Sequence, residues 1–184
     1  MIEKKYLMQA SLQAIAFILE NTFAGKDKHN RPFASYSKKT FGMPLGAYYA
    51  RVGKGHRKRL QDDTKIYRNK NTGGLWILIK GGYQNFKSKW NPEKASTVNL
   101  SFTGQMLKEL HVMEVGNSYS YIGFKSKEMS ERASFHALQG AGRSKVIRDF
   151  LGIHKKQEET LANYLSEKFK TSVETKIKET IRGL

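Results

Sequence analysis

Val98-Asn-Leu-Ser-Phe-Thr-Gly-Gln-Met-Leu107 is the stretch whose reading decides the fold class. Val98, Leu100 and Phe102 alternate with polar residues over 97–102, the period of a half-buried strand. Thr103 then offers the kind of side-chain oxygen that caps a helix start, which predicts a short helix over 104–110. Further on, His111 to Val115 and Tyr119 to Phe124 alternate on either side of Gly116-Asn-Ser, a hairpin signal. The run from Ser126 or Lys127 to Leu138 reads as a helix, with Met129, Ala133, His136 and Ala137 roughly on one side. Gln139-Gly-Ala-Gly-Arg143 ends it. This order predicts an α+β fold, a small, mainly antiparallel sheet flanked by helices.

Toward the N-terminus, Met8, Leu12, Ile15, Leu19 and Phe23 recur at helical spacing and predict a helix over 3–23, stopped by Gly25. Leu75-Trp-Ile-Leu-Ile79, bounded by glycines, predicts a strand, and Tyr83 to Trp90 a few helical turns before Asn91-Pro92. At the other end, Leu161, Leu165, Phe169, Val173, Ile177 and Ile181 recur every four residues. They predict one helix over 155–182, about 42 Å long. A strict repeat of four drifts around a straight helix, so the two ends of this row must meet different surroundings.

Residues 24–74 show no sustained period and are punctuated by seven glycines and two prolines. They read as a long basic extended arm. Phe33, Tyr36, Phe41, Tyr48 and Tyr49 are the aromatic residues expected to dock it, since purely disordered segments are poor in aromatics. The whole chain, 1–184, fits one domain with that arm and a projecting C-terminal helix.

Charge is the strongest bulk signal. Lys and Arg number 33 against 16 Asp and Glu, a net +17. Residues 26–70 hold thirteen cations and three carboxylates, so +10 of the excess lies there. Such a field favours nucleic acid or an acidic protein surface. Arg51, Lys54, Arg57, Lys58, Arg59 and Arg68 are the candidate contacts. They suit phosphates or carboxylates without reading bases, because no recognition helix carries them. Cysteine is absent, which removes disulfides and thiolate metal sites. No apolar run approaches the 18 or more residues that span a bilayer, which predicts a soluble protein made in the cytoplasm, with no membrane partner.

Catalytic chemistry finds no support. His29, His56, His111, His136 and His154 fit no metal-ligand spacing, and no phosphate-binding glycine loop is present. Glu128, Glu131 and His136 could be imagined as a nuclease metal site, but on a helix His136 lies about 80° away from Glu128. The reading is a protein that is not an enzyme and needs no cofactor.

Three blocks carry a resemblance. Gly25-Lys-Asp-Lys-His-Asn-Arg-Pro-Phe-Ala-Ser-Tyr-Ser37, the Thr103-Gly-Gln-Met-Leu107 helix start and Arg148-Asp-Phe-Leu-Gly-Ile153 follow in this order. The pattern resembles that of the neck and tail-completion proteins of tailed bacteriophages, also called virion morphogenesis or head–tail joining proteins. It covers roughly residues 20 to 155. Asn30 stands where that family usually has glycine, and Asp149 where it usually has proline.

The resemblance implies a structural virion protein that forms a ring at the head–tail neck, of six or twelve copies, around the DNA channel. Its partners would be further copies of itself, the portal-side connector, tail proteins and, non-specifically, genomic DNA. Arg148, Phe150, Leu151, Gly152, Leu161, Leu165 and Phe169 would then be corner or subunit-interface residues. Phe150 and Leu151 would anchor the chain, Gly152 would permit a turn with φ > 0, and Arg148 would meet a carboxylate across a subunit boundary. The alternative is a sequence-independent DNA-binding protein using the basic stretch 51–70.

Overall fold

The computed structural model describes residues 3–52, 64–90, 97–100, 104–140 and 145–182. In chain order the elements are α1 (Lys4–Phe23), β1 (Phe41–Pro44), α2 (Leu45–Val52), β2 (Thr64–Arg68), β3 (Leu75–Ile79), α3 (Gly82–Trp90), α4 (Gln105–Lys108), β4 (Leu110–Val115), β5 (Ser120–Phe124), α5 (Lys127–Ser134), and α6 (Lys155–Arg182). The fold is α+β, with antiparallel sheets, flanking helices and a long C-terminal helix. Where the sequence suggests one domain, two compact units are distinguished: 1–33 with 104–184, and 34–103.

In the 34–103 unit, β3 is the central strand of an antiparallel sheet ordered β1-β3-β2. That position explains the nearly continuous apolar run Leu75–Ile79, for Ile77 and Ile79 are buried on the face shared with Tyr48, Val52 and Phe86. Around this cluster pack Phe41, Tyr49, Tyr83 and Trp90. Tyr48 meets Phe86 and Trp90 at ring-centroid distances of 5.9 Å each.

The expected extended arm is therefore corrected. Its segment 41–52 is strand then helix, and 64–68 is an edge strand. Elements of four to eight residues, half-buried and joined by glycines, are too short to show a period. Four of the five docking aromatics, Tyr36, Phe41, Tyr48 and Tyr49, pack within this unit: Tyr36 stacks edge-on against Tyr83, and the other three belong to or border the core. The fifth, Phe33, is buried in the other unit.

The strand expected over 97–102 is corrected over its described part, while Ser101 and Phe102 lie outside the described residues. Residues 97–100 are not strand, and Leu100 takes φ 52. Buried Lys87 on α3 holds this segment instead: its Nζ donates to Asn99 Oδ1 at 2.7 Å and to the Thr97 carbonyl at 3.3 Å. Nζ also lies 5.1 Å from the Tyr36 ring.

In the other unit, α1 packs on the β4–β5 hairpin and on α6. Its buried face is Ala10, Ser11, Ile15, Ile18, Asn21 and Thr22, so of the expected apolar row Ile15 is buried and Leu19 half-buried. Met8, Leu12 and Phe23 of that row are exposed. Small Ala10 and Ser11 let the hairpin approach, and the Ser11 and Ser120 hydroxyls bond to each other. Gly25 ends α1 as expected, with φ 76. Gly25 N–H donates to Thr22 O and Lys26 N–H to Asn21 O, the paired bonds of a Schellman stop. The helix expected over 104–110 is one turn, α4, with Gly104 at its N-cap position; Thr103 lies outside the described residues. Ser126 caps α5 by accepting from Met129 N–H, and a π-helical turn, Phe135–Gln139, continues it.

Candidate functional site

Two of the sequence blocks meet in space. The loop after α1 is built around Asp27, whose Oδ1 accepts from the backbone N–H groups of His29 and Arg31, both at 2.9 Å. Its Oδ2 accepts from Arg31 Nε at 2.9 Å and pairs with Nη2 at 2.8 Å. Burial works against the charged carboxylate, but the Arg31 and His29 bonds outweigh it and hold Asp27 below its ordinary pKa. The loop closes with Phe33 N–H on the Gly25 carbonyl, and Phe33 is buried. Asn30 has φ 62, a left-handed conformation that glycine adopts freely and asparagine tolerates better than most residues.

Against this loop lies the corner 148–152. Lys28 N–H donates to the Asp149 carbonyl at 2.9 Å, and Lys28 Nζ pairs with Asp149 Oδ2 at 2.8 Å. Gly152 does not play the expected part. It does not have positive φ; rather, a Cβ on it would lie 3.0 Å from the Lys28 side chain.

Phe150 anchors the corner at 1% exposure, while its neighbour Leu151, expected to anchor with it, is exposed. Arg148 is buried within the same unit, and its N–H donates to the His136 carbonyl at 2.7 Å.

The corner feeds directly into α6, whose start is fixed to the end of α1. Buried Asn21 and Gln157 exchange two side-chain hydrogen bonds, Asn21 Nδ2 to Gln157 Oε1 at 2.8 Å and Gln157 Nε2 to Asn21 Oδ1 at 3.2 Å. One turn further along, Leu161 and Leu165 are half-buried. Tyr164 donates to Gln9, and Lys168 Nζ lies 5.9 Å from the Tyr6 ring. These contacts run antiparallel along α1 and reach its first turn by Lys168. Beyond that point Phe169, Val173, Ile177 and Ile181 are 46%, 37%, 53% and 65% exposed. Of residues 169–182 only Ser172 is buried.

Of the six candidate polyanion contacts, two are described. Arg51 on α2 and Arg68 on β2 are exposed, each bonding one nearby carbonyl, of Ala47 and Gly73 respectively. Lys54, Arg57, Lys58 and Arg59 lie outside the described residues. The imagined nuclease cluster dissolves into helix-surface pairs, Glu128 with Arg132 at 2.5 Å and Glu131 with Lys127 at 3.9 Å. Among the described residues no group of three acidic or histidine side chains could hold a metal ion, and no helix is long and apolar enough to cross a membrane.

Sequence reasoning missed the Asn21–Gln157 pair and the Lys28–Asp149 fastening. The first had a signal: Asn21 and Thr22 fall where the helix face turns inward. The second had none, because its partners are 121 positions apart.

Comparison with protein-family models, with curated proteins and with solved structures gives no match to this chain.

Proposed function

We propose that this chain is a structural subunit of the head–tail neck of a tailed bacteriophage, assembling with copies of itself and with portal-side and tail-side proteins around the DNA channel. The single observation that carries an assembly role is the outer half of α6. A helix fixed at its base by a buried polar pair and a tightly fastened corner continues with an exposed apolar row. Exposed rows of this kind are costly in a lone protein and ordinary in a subunit. The neck reading is supported by the resemblance of the sequence blocks, and parts of two of them, 25–33 of the first and 148–152 of the last, meet at the base of that helix.

The test is the solution mass of the full chain, alone and with portal-side and tail-side proteins, with short duplex DNA as control. A cyclic oligomer, or a monomer that joins a ring only with those proteins, is the expected result. A monomer or dimer that ignores them and binds DNA would replace this reading with DNA binding. The exposed Arg51 and Arg68 favour that second reading; its mark would be a log–log salt slope of about −0.9 for each phosphate contacted.

A further inference from the structure

We propose that residues 169–182 of α6 dock into an apolar groove bordered by acidic side chains on a different protein, not onto a second copy of this chain. The inference deepens the assembly reading and rests on it.

The row of Phe169, Val173, Ile177 and Ile181 advances by about 40° per member around the helix. It therefore forms a slowly winding ridge, one side chain per turn, suited to a groove. The lysines nearest Val173 around the helix, Lys170 and Lys176, lie about 60° to either side of it. Residues 169–182 carry four cations, Lys170, Lys176, Lys178 and Arg182, against Glu174 and Glu179, a net +2. Among the described residues none of these four cations is ion-paired.

The occupant follows from charge. Two copies packed row against row would bring together two +2 segments belonging to chains of +17 each. Duplex DNA would satisfy the lysines but offer the apolar row nothing to bury against. A membrane surface calls for a broad apolar face, whereas here it is one side chain per turn with Glu174 at its border. An acidic rim around an apolar floor satisfies both the row and its lysines, and also speeds encounter.

The test uses the full chain and three labelled helical peptides that share one Leu/Ile row, flanked by Glu, Gln or Lys. Fluorescence anisotropy at low and physiological salt reads binding, with phosphatidylserine vesicles and short duplex DNA as further arms. The Glu-flanked peptide should bind at least tenfold more tightly than the Lys-flanked one, with the gap narrowing as salt rises. Ile177→Glu should abolish binding, and Lys170→Glu with Lys176→Glu should reverse the order of preference. Circular dichroism checks that both variants keep their helix content.

Equal binding of all three peptides, no binding, or binding unaffected by Ile177→Glu would overturn the proposal. So would stronger binding to vesicles or DNA that Ile177→Glu removes, or an Ile177-dependent dimer. The solution-mass assay separates the two readings. A chain that joins the neck proteins but ignores the peptides loses this inference alone. A chain that prefers the Glu-flanked peptide but joins no ring loses the neck reading alone.

Discussion

The two halves of α6 share one apolar repeat and differ in everything that repeat touches. Residues 155–168 are charge-balanced, with three cations and three carboxylates, and their side chains reach α1 through Gln157, Tyr164 and Lys168. Residues 169–182 carry the same spacing onward, but there Phe169, Val173, Ile177 and Ile181 are exposed. Their composition differs too: Thr171, Val173, Thr175, Ile177, Thr180 and Ile181 are β-branched, against Thr160 alone in the inner half. β-branched side chains lose rotamer freedom in a helix and lower its intrinsic stability. A segment that is both a weaker helix former and more apolar at its surface depends on packing to hold its shape. The inner half has that packing within its own chain, and the docking proposed above would supply it to the outer half.

The sharpest way to break this comparison is to cut the same kind of apolar contact in both places. Phe150→Ala removes a ring that is 1% exposed at the base of α6. It should cost about 3–5 kcal/mol of unfolding stability. Ile177→Ala in the outer half should change the isolated chain by no more than about 0.5 kcal/mol. Chemical denaturation measures both. An Ile177→Ala loss comparable to that of Phe150→Ala would mean that the outer half packs in its own chain, and the contrast would collapse.

A second cut tests what fixes the inner half. Either Asn21→Ala or Gln157→Ala leaves a buried amide without its partner and should cost about 1–3 kcal/mol. Replacing both by leucine should restore most of that loss, because the cost lies in the orphaned amide and not in the missing bond. If the double replacement is as destabilising as the sum of the single ones, the pair contributes more than mutual satisfaction, and the anchor is polar by requirement.

A smaller effect is expected at the loop that receives the corner. Asn30→Ala places a Cβ without a local hydrogen-bonding group at φ 62 and should cost about 1 kcal/mol. Asn30→Gly should be nearly neutral, since glycine reaches this conformation freely. Thermal melts of both variants decide it, and equal melting temperatures for the two would remove backbone conformation as the reason for Asn30.

What was legible in the sequence follows the length of each element. Residues 155–182 were readable because six apolar residues repeat one spacing from Leu161 to Ile181, and Leu75–Ile79 because a central strand is apolar on both faces. The α+β class followed from the hairpin, where β4 and β5 flank Gly116. The strand expected from Val98, Leu100 and Phe102 failed because three alternating residues do not specify a ladder partner. Lys87, which ties Thr97 and Asn99 to α3, looks like an ordinary surface lysine in the sequence. The face of α1 was misjudged because small residues were not counted as apolar, although Ala10 and Ser11 are the ones that allow close approach. At the candidate site, Phe150 was readable as an anchor, whereas the role of Gly152 depends on Lys28, 124 positions earlier. Close approaches between distant segments leave no local signal.

The smallest expected effect concerns pH, and its sign follows from burial of one histidine beside the corner. His136 sits in the π-helical turn with its Nδ1 buried and without a hydrogen bond. Burial first, then the charges of Arg148 and Arg132, hold its pKa below the ordinary 6.5. The unfolded chain therefore binds a proton at this position more readily than the folded one. Stability from this residue is fully present above pH 6.5 and is lost as pH falls toward the lower folded value. The measurement is the difference in unfolding free energy between the native chain and His136→Gln across pH 7 to 5. The native chain should lose ground to the variant over that interval. Parallel curves would mean that the proton is accommodated in the fold, by rotation of the ring or of Arg148. The corner would then be looser than its buried contacts imply, and a loose corner would leave the base of α6 no better fixed than its outer half.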